Sequence, residues 1–331
     1  MAKKKKKTFL VSKYFYWLRY RIGEYCLRGF VSILPWIPRR LVQLFTSAGA
    51  RLTFALLWKY RKRMEENLSM AMGAEFITRE RRQAVVWRAW RNFAQGMYET
   101  TCTVHSSKEK ICAAVAFEGE GHLQQALARG KGVIALSAHL GNFTMIGARL
   151  AAAGYPFNVV VKQPKDQRFA RLIDRYRAML DIKTISAKPR REAARQILKG
   201  LRRNEVILLI ADEFKSGGVE VEFLGCTASA PRGPVTLALR TGAAVLPTFV
   251  TRDHEDRLTL HIGAEIELIK TGDLQAELAA NASLFTSHLE AMVRRYPDQW
   301  NWLGFHRNGR RPRSEMVKSK TAGPDPRDLS F

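Results

Sequence analysis

Short apolar runs alternate with amphipathic stretches between residues 115 and 295, and this alternation restricts the fold more than any other feature of the sequence. The clearest run is Val133–Ser137, which follows two glycines at 130 and 132 and carries no charge. Strands of four to six β-branched or aliphatic residues that alternate with helices of ten to fifteen residues are typical of a parallel sheet covered on both faces. We therefore predict an α/β fold with a mostly parallel central sheet and helices on both faces.

The remaining predicted elements continue this alternation. The other predicted strands lie at 159–161, 183–186, 206–211, 219–224, 244–252 and 257–266, the last two joined as a hairpin. The predicted helices lie at 123–128, 142–153, 167–180, 191–203 and 274–295. Apolar residues at three- and four-residue steps predict further helix between 64 and 104. We assign residues 64–307 to one α/β domain and residues 308–331, which contain prolines and many basic side chains, to a flexible tail.

Positive charge is concentrated at the front of the chain. The protein has 55 Lys and Arg against 30 Asp and Glu, and sixteen of these basic residues lie in residues 1–63, where Glu24 is the single acid. Trp36, Phe45, Trp58 and many aliphatic residues are interleaved with them. This mixture suits an anionic membrane surface, whereas nucleic acid would not need so many apolar residues. We predict that residues 1–63 form a basic amphipathic helical segment that associates with membranes, and we expect no nucleic-acid partner.

Arginines interrupt the apolar residues of this segment. Arg28, Arg39 and Arg51 divide it into pieces of about ten residues, whereas a helix needs roughly 20 apolar residues to span a bilayer. Attachment to one membrane face is therefore favoured over a span. No apolar core with a cleavage site follows Lys3–Lys7, as it would in a signal peptide. Because clustered Lys and Arg are retained on the cytoplasmic side, we expect the protein at the cytoplasmic face.

His139 is the first candidate for chemistry. It follows the predicted strand Val133–Ser137 and precedes a predicted helix. Ligands of open α/β sheets bind at the carboxyl ends of the strands, where helices begin. A histidine there can hold a neutral imidazole near solvent and accept a proton. Position alone also suits a histidine that only caps or packs the turn.

Metal-binding patterns are absent from the sequence. The four cysteines stand at no zinc-ligand spacing. The seven histidines and the carboxylates form no H-E-x-x-H or similar signature. We therefore predict that the protein uses no metal and no cofactor.

The segment around His139 is similar to a known motif. His139-Leu140-Gly141-Asn142-Phe143 resembles the H-[FL]-G-N-[WF] segment of the lipid A biosynthesis acyltransferases, of lauroyl or myristoyl type, in the lysophospholipid acyltransferase-like superfamily. Four further segments resemble that family in the same order, so the resemblance covers roughly residues 115 to 307. These segments are Val206–Glu213, similar to a strand ending in D-Q; Val221–Gly225 with Ala228, Pro231 and Gly233; Leu237-Ala238 with Thr241–Pro247; and Tyr296–Leu303.

The resemblance implies an activity. The family adds secondary acyl chains to a glucosamine-based lipid at the bacterial inner membrane. Its histidine takes the proton from an acceptor hydroxyl as this attacks a thioester on acyl carrier protein, without an acyl-enzyme. The resemblance therefore implies a membrane-associated O-acyltransferase at the inner membrane, with His139 as base. Acyl carrier protein or acyl-CoA is the implied donor, anionic lipid the membrane partner and a glycolipid the acceptor.

Position 144 departs from the family pattern. The family has a carboxylate five residues after the histidine, which orients the imidazole, but this chain has Thr144. A hydroxyl cannot stabilise a developing imidazolium as a carboxylate does. Asp212 and Glu213 end a predicted strand and should emerge at the same edge as His139. We predict Glu213, which reaches further, as the catalytic acid and Asp212 as the residue that holds the following loop; a solvated Glu213 is the alternative.

Three residues are assigned to substrate binding through the resemblance. Asn142 belongs to the motif that begins at His139. Lys162 stands where the family has an arginine, and a cation there suits a phosphorylated acceptor. Arg232 lies at a predicted helix start, where free N–H groups favour anions. Solvated side chains are the alternative for both basic residues.

Two other functions stay open. A transferase of this kind could act on another lipid, such as a phosphatidyl or amino-acid lipid. The missing acid at position 144 also allows a catalytically weakened relative that binds lipid without turnover. Both alternatives keep the predicted fold and differ only in substrate or in turnover.

Overall fold

The structure of the protein is a computed structural model that describes residues 2–73, 75–76, 78–214, 217–305 and 311–312. The helices are α1 (Ala2–Ile33), α2 (Arg39–Leu56), α3 (Trp58–Met72), α4 (Arg79–Thr103), α5 (Lys108–Ala114), α6 (Glu120–Ala128), α7 (Met145–Ala152), α8 (Gln167–Met179), α9 (Arg190–Arg202), α10 (Arg232–Thr241) and α11 (Leu274–Arg295). The strands are β1 (Val115–Glu118), β2 (Val133–Ser137), β3 (Phe157–Val161), β4 (Ile182–Ser186), β5 (Val206–Ile210), β6 (Val219–Phe223), β7 (Cys226–Ala230), β8 (Ala244–Arg252), β9 (Leu258–Ile262) and β10 (Arg311–Pro312).

Seven strands form the central sheet in the order β1-β9-β8-β2-β5-β3-β4. From β8 to β4 the neighbouring strands run parallel. The predicted hairpin is the antiparallel pair β8–β9, and β1 adds to β9 in parallel. The α/β fold with a mostly parallel sheet is therefore confirmed. The sequence pattern does not predict β1, a four-residue strand at the edge.

Helices cover both faces of the sheet, and this explains why β2 shows no alternation of apolar and polar residues. Its five residues are all buried. Ile134 and Leu136 pack with residues of α9, α10 and α11 on one face. Val133 and Ala135 pack with residues of α5, α6 and α7 on the other. A strand covered on both sides has no polar face, and each large apolar side chain buried this way contributes about 1.5–3 kcal/mol.

A β-hairpin forms a second, smaller sheet that packs on α11. β6 and β7 pair antiparallel, and Arg311–Pro312 pairs with β7. The turn consists of Leu224 and Gly225, both at positive φ (52° and 71°). Two such residues give the turn whose twist matches that of the strands. β6 was predicted, but β7 was not, because its Cys-Thr-Ala-Ser-Ala sequence lacks a strand-like apolar pattern.

Two predicted helices differ from the observed ones. The helix expected between 64 and 104 is interrupted after Met72, and α4 begins again at Arg79, where the Thr78 hydroxyl accepts a hydrogen bond from Arg81 N at 3.3 Å. The helix expected from 142 begins at Met145. The domain boundary predicted after residue 63 falls within α3. That division stays a prediction, and the tail predicted at 308–331 lies outside the described residues except for β10.

The N-terminal helices are attached to the α/β unit but leave apolar side chains exposed. The ring centroid of Phe54 in α2 lies 5.1 Å from that of Trp87 and 5.9 Å from that of Trp90, both in α4. Within the described residues, no single helix is long and apolar enough to cross a membrane, although the pair Arg40–Leu56 and Trp58–Met72, bent by 84°, meets that criterion jointly. The large apolar side chains exposed between Tyr16 and Tyr60 are Tyr16, Trp17, Ile22, Tyr25, Phe30, Ile33, Trp36, Leu41, Leu44, Phe45, Leu52, Leu56, Leu57, Trp58 and Tyr60.

Candidate active site

The register of the central sheet brings His139 and Asp212 together. β2 and β5 are parallel neighbours in which Ser137 pairs with Ile210. Ala211 N continues this pairing by donating to Ser137 O at 2.8 Å. His139 lies two residues after Ser137, and Asp212 lies two residues after Ile210. The two side chains therefore stand next to each other at the carboxyl edge of the sheet. This is the edge at which open α/β sheets bind their ligands.

Asp212 holds His139 by two contacts, one to the imidazole and one to the backbone. The ring nitrogen Nδ1 of His139 lies 2.8 Å from Asp212 Oδ1, and His139 N donates to Oδ2 at 2.8 Å. The Trp300 indole also donates to Oδ2, at 2.9 Å. With Nδ1 against the carboxylate, Nε2 is the ring nitrogen on the side away from Asp212. The arrangement is the histidine and acid pair of a hydrolase triad.

Asp212 is ionised in this setting. Its side chain is 3% exposed, and this burial raises the pKa of Asp212. The hydrogen bonds from the His139 ring, the Trp300 indole and the His139 backbone outweigh burial and hold the pKa of Asp212 below its ordinary value. The carboxylate therefore keeps its negative charge through mildly acidic pH and can stabilise a protonated His139.

The structure corrects the predicted choice between the two carboxylates. Glu213 was expected to face His139, but Asp212 occupies that place and Glu213 is exposed. Adjacent residues leaving a strand point to opposite sides, so only one of the two can lie against the imidazole. A long side chain is not needed there, because the strand register already sets Asp212 opposite His139. Asp212 was expected to hold the loop that follows it, but its carboxylate contacts His139 instead.

The chain after α11 is hydrogen-bonded across the loop that carries His139. Gly141 N donates to Gln299 O at 2.8 Å, and Asn301 N donates to His139 O at 3.1 Å. The Gln299 side chain in turn accepts from Arg252 N at 2.9 Å and donates to Arg252 O at 2.6 Å, which joins this segment to β8. The resemblance included this C-terminal segment, but sequence reasoning did not connect it to the histidine.

Gly141 is the position in this loop where only glycine fits. Its φ is +58°, and a Cβ atom would lie 1.9 Å from Val250 O. Residues with a Cβ rarely adopt this conformation, and the backbone oxygen of β8 cannot move aside. Asn142 N donates to the same Val250 oxygen at 3.2 Å. The close approach therefore fixes the loop that presents His139.

Asn142 is part of a polar network that links α4 to this loop. Its Nδ2 donates to Glu99 Oε2 at 2.9 Å, and buried Arg252 donates to the same oxygen at 2.6 Å. Thr144 Oγ1 donates to Asn142 Oδ1 at 2.6 Å and lies 2.5 Å from Thr100 Oγ1. Thr144 thus joins the network instead of supplying an acid to the imidazole. Sequence reasoning missed Glu99 and Arg252, and a substrate contact by Asn142 stays a prediction.

Lys162 and Arg232 lie at the edge that carries His139. Lys162 directly follows β3, which runs parallel to β5 and therefore also to β2, and it is exposed. Arg232 begins α10, which leads back to the amino end of β8, so the start of α10 faces the carboxyl edge. The predicted contacts of both residues with substrate stay predictions. Within the described residues, no three His, Cys, Asp or Glu side chains gather as metal ligands.

This edge, with a histidine held by a buried acid in a parallel sheet, has the form of an acyl-transfer site. The chain belongs to the bacterial lipid A biosynthesis acyltransferase family, which it matches over residues 2–308. The resemblance seen in the sequence motifs is therefore confirmed.

Two curated relatives are similar to parts of the chain. A phosphatidylinositol mannoside acyltransferase of Mycolicibacterium smegmatis is 29% identical over 184 residues, 55% of this chain and 59% of the relative. A protein of the same name from Mycobacterium tuberculosis is 36% identical over 133 residues, 39% of this chain and 42% of the relative. The chain thus covers less than two thirds of the length of the curated relatives it matches.

Proposed function

We propose that this protein transfers a fatty acyl chain from a thioester to a hydroxyl of a phosphorylated glycolipid at a membrane surface. The observation that carries the proposal is the His139 imidazole, whose Nδ1 lies 2.8 Å from a buried, ionised Asp212 at the ligand-binding edge of the sheet. Membership of an acyltransferase family supports the same reaction.

In the proposed reaction His139 Nε2 accepts the proton of the acceptor hydroxyl as its oxygen attacks the thioester carbonyl. Asp212 keeps Nδ1 protonated and stabilises the imidazolium that forms. Collapse of the tetrahedral intermediate breaks the carbon–sulfur bond, and the imidazolium returns the proton to the leaving thiolate. The substrate hydroxyl takes the place of the serine of a hydrolase, so no acyl-enzyme is required. Asp212 thereby supplies the acid whose loss at position 144 motivated the weakened-relative alternative.

The first candidate acceptor is a glucosamine-based lipid A precursor, which is supported by the family description. Phosphatidylinositol mannoside is the second candidate, because the curated relatives carry that name. Each acceptor offers sugar hydroxyls and at least one phosphate. Exposed Lys162 and Arg232 at the carboxyl edge suit the phosphate of either acceptor. The two acceptors therefore differ for this site in their sugars.

For the donor we favour acyl carrier protein over acyl-CoA. The chain has 55 Lys and Arg against 30 Asp and Glu. Complementary charge speeds the encounter with an acidic protein and orients it. For the location we favour the cytoplasmic face of the inner membrane, held through residues 1–63. The exposed apolar side chains of α1 and α2 support this, because solvated monomers rarely expose so many together.

The deciding experiment offers the purified protein both acceptors. Each is incubated with acyl carrier protein or CoA charged with a twelve-carbon chain, and the products are measured by mass spectrometry. Ester formation on one acceptor, absent in His139→Ala, supports the proposal and names the acceptor. Ester formation that survives in His139→Ala would overturn the mechanism.

A deletion strain supplies the cellular test. Loss of one acyl chain from the strain's lipid A is the result expected for the first acceptor. Unchanged lipid A with an altered inositol mannoside would favour the second. Acyl patterns unchanged in every glycolipid, together with no ester formed by the purified protein, would overturn the proposed function.

A further inference from the structure

An arginine-lined cavity lies between α1 and α8, outside the residues that contact His139. Its volume is about 220 Å³, and it is lined by Arg28, Arg168, Arg171, Leu172 and Arg175. Leu172 is buried, so the four guanidinium groups are the polar groups of the wall. We call this cavity the arginine pocket.

Two of the four arginines are held by a carboxylate. Glu24 of α1 has no exposed side-chain surface, and its Oε1 accepts from Arg28 Nη2 and from Arg168 Nε, each at 2.8 Å. Arg21 pairs with Glu24 as well, and also donates to Asp166 at 2.5 Å. Since Asp166 caps α8, this cluster docks α1 onto α8. The pocket is therefore built before any ligand arrives.

Arg171 and Arg175 carry charge that remains uncompensated. Neither has an ion-pair partner among the residues that the structure describes, and the nearby Asp174 pairs with Arg177 instead. Arg168, Arg171 and Arg175 are spaced by three and four residues, so they share one face of α8. Like charges at this spacing repel each other. With one buried carboxylate and four guanidinium groups, the pocket has a net positive charge that favours binding of an anion.

The chemistry of the wall and of its surroundings identifies the anion. Guanidinium groups present paired N–H donors that match the oxygens of a phosphate. Tyr25 of α1, hydrogen-bonded to Arg168, is 61% exposed, and Ile22 and Phe30 on the same helix are 54% and 59% exposed. Aromatic and aliphatic side chains beside clustered arginines suit the headgroup region of a bilayer.

We propose that the arginine pocket binds the phosphate group of a phospholipid headgroup. This inference rests on the proposed membrane association and goes beyond it by naming a discrete phosphate site. In this arrangement α1 lies in the interface, and its exposed apolar side chains enter the bilayer beside the bound headgroup. In this proposal the arginine pocket binds the lipid phosphate, whereas His139 acts on the acceptor hydroxyl.

The test uses the full-length protein and two sets of vesicles with equal surface charge. One set is phosphatidylcholine with phosphatidic acid, and the other is phosphatidylcholine with a carboxylate lipid. The wild-type protein should bind the phosphatidic acid vesicles about tenfold more tightly, as measured by cosedimentation. Arg171→Gln with Arg175→Gln should remove that preference. These two side chains are exposed, so the variant should unfold at the wild-type temperature.

Arg202→Gln with Arg203→Gln is the matched control. It removes two exposed positive charges at the far end of α9 and should keep the preference. If both double variants lose it equally, or if the wild type binds both vesicles alike, the pocket proposal is overturned while membrane association stands. Binding to no vesicle would overturn membrane association itself.

A titration with a soluble phosphate compound tests whether the pocket binds a lipid phosphate or a free one. Titration with glycerol 3-phosphate should show weak binding, and it should not displace the protein from phosphatidic acid vesicles at millimolar concentration. Displacement at micromolar concentration would overturn the lipid as occupant in favour of a soluble phosphate.

Discussion

The α/β unit and the N-terminal helices use apolar side chains in opposite ways. In β2 all five residues are buried, because helices cover the strand on both faces. In the N-terminal region Trp36 is 87% exposed, Phe45 66% and Leu56 67%. Both regions contain large apolar side chains, so apolar content alone does not separate them. The difference is that other parts of the chain pack over the apolar side chains of β2, whereas they leave those of the N-terminal region exposed.

This difference separates the part of the molecule that folds around its own core from the part for which we propose contact with a membrane surface. Each large apolar side chain left in water forgoes about 1.5–3 kcal/mol. A bilayer would recover that free energy for α1 and α2, and their arginines would meet the headgroups. If the division is correct, substitutions in one region should affect turnover and substitutions in the other should affect attachment. Four variants test it.

The largest effect is expected from His139→Ala. Removal of the general base should lower acyl transfer by about 10⁴-fold, the upper end for such groups. Binding to anionic vesicles should not change, since the histidine lies on the sheet edge and not on α1 or α2. Radiolabelled acyl transfer and vesicle cosedimentation measure the two quantities on the same preparation. A variant that still turns over at the wild-type rate would remove His139 from the mechanism.

The next effect is expected from Asp212→Asn, with Glu213→Gln as its control. Loss of the carboxylate leaves the imidazolium unsupported, so turnover should fall by roughly 10³-fold. The Glu213 variant should work close to the wild-type rate, because Asp212 and not Glu213 holds Nδ1 of the imidazole. If the Glu213 variant were inactive and the Asp212 variant active, the geometry would have named the wrong carboxylate.

Attachment is tested by replacing Trp36, Phe45 and Leu56 together with serine. Three inserted side chains of this size account for roughly 3–4 kcal/mol of partial burial, so binding should weaken by about 10²–10³-fold. The unfolding temperature should stay the same, because these side chains have little protein cover to lose. Liposome flotation in high salt isolates the apolar part, since salt screens the basic residues. Unchanged flotation of the variant would show that these apolar side chains do not attach the protein to the bilayer.

The smallest effect is expected from Glu99→Gln, which touches the α/β unit away from the imidazole. The variant leaves the buried Arg252 guanidinium without its carboxylate and weakens the link from α4 to Asn142. We expect a loss of about 2 kcal/mol in the free energy of unfolding, with a modest loss of turnover. Chemical denaturation measures the first quantity. Glu80→Gln, the same change at an exposed position of α4, is the control and should leave both quantities near the wild-type values.

The fold was predictable wherever a local pattern determined the structure. β2 occupies residues 133–137 as predicted, because a fully buried run follows glycines that end the preceding helix. α11 also has its predicted bounds, 274–295, since a long amphipathic pattern is bounded by a capping Asp273 and by Pro297. β1 and β7 were missed because a short edge strand and a run of small residues carry no such pattern.

The site was predictable only in part, because its contacts join distant parts of the chain. His139 and the edge on which it lies followed from the order of strands and helices. The choice of Asp212 over Glu213 depends on the register between β2 and β5, which no local pattern states. Glu99 and Arg252 are 153 positions apart, and their contact appears only after folding.

The segment that follows α11 has a consequence for the timing of synthesis. Trp300 and Asn301 hold Asp212 and the backbone of His139, so the acid and base pair is complete only after these two residues have been made. Helices α1 and α2 precede them in the chain and leave the ribosome earlier. At roughly 5–20 residues per second, the interval between Trp58 and Trp300 is about 10–50 seconds. Under the proposed function, the N-terminal helices have time to meet a bilayer before the acid and base pair is assembled, so attachment would precede turnover.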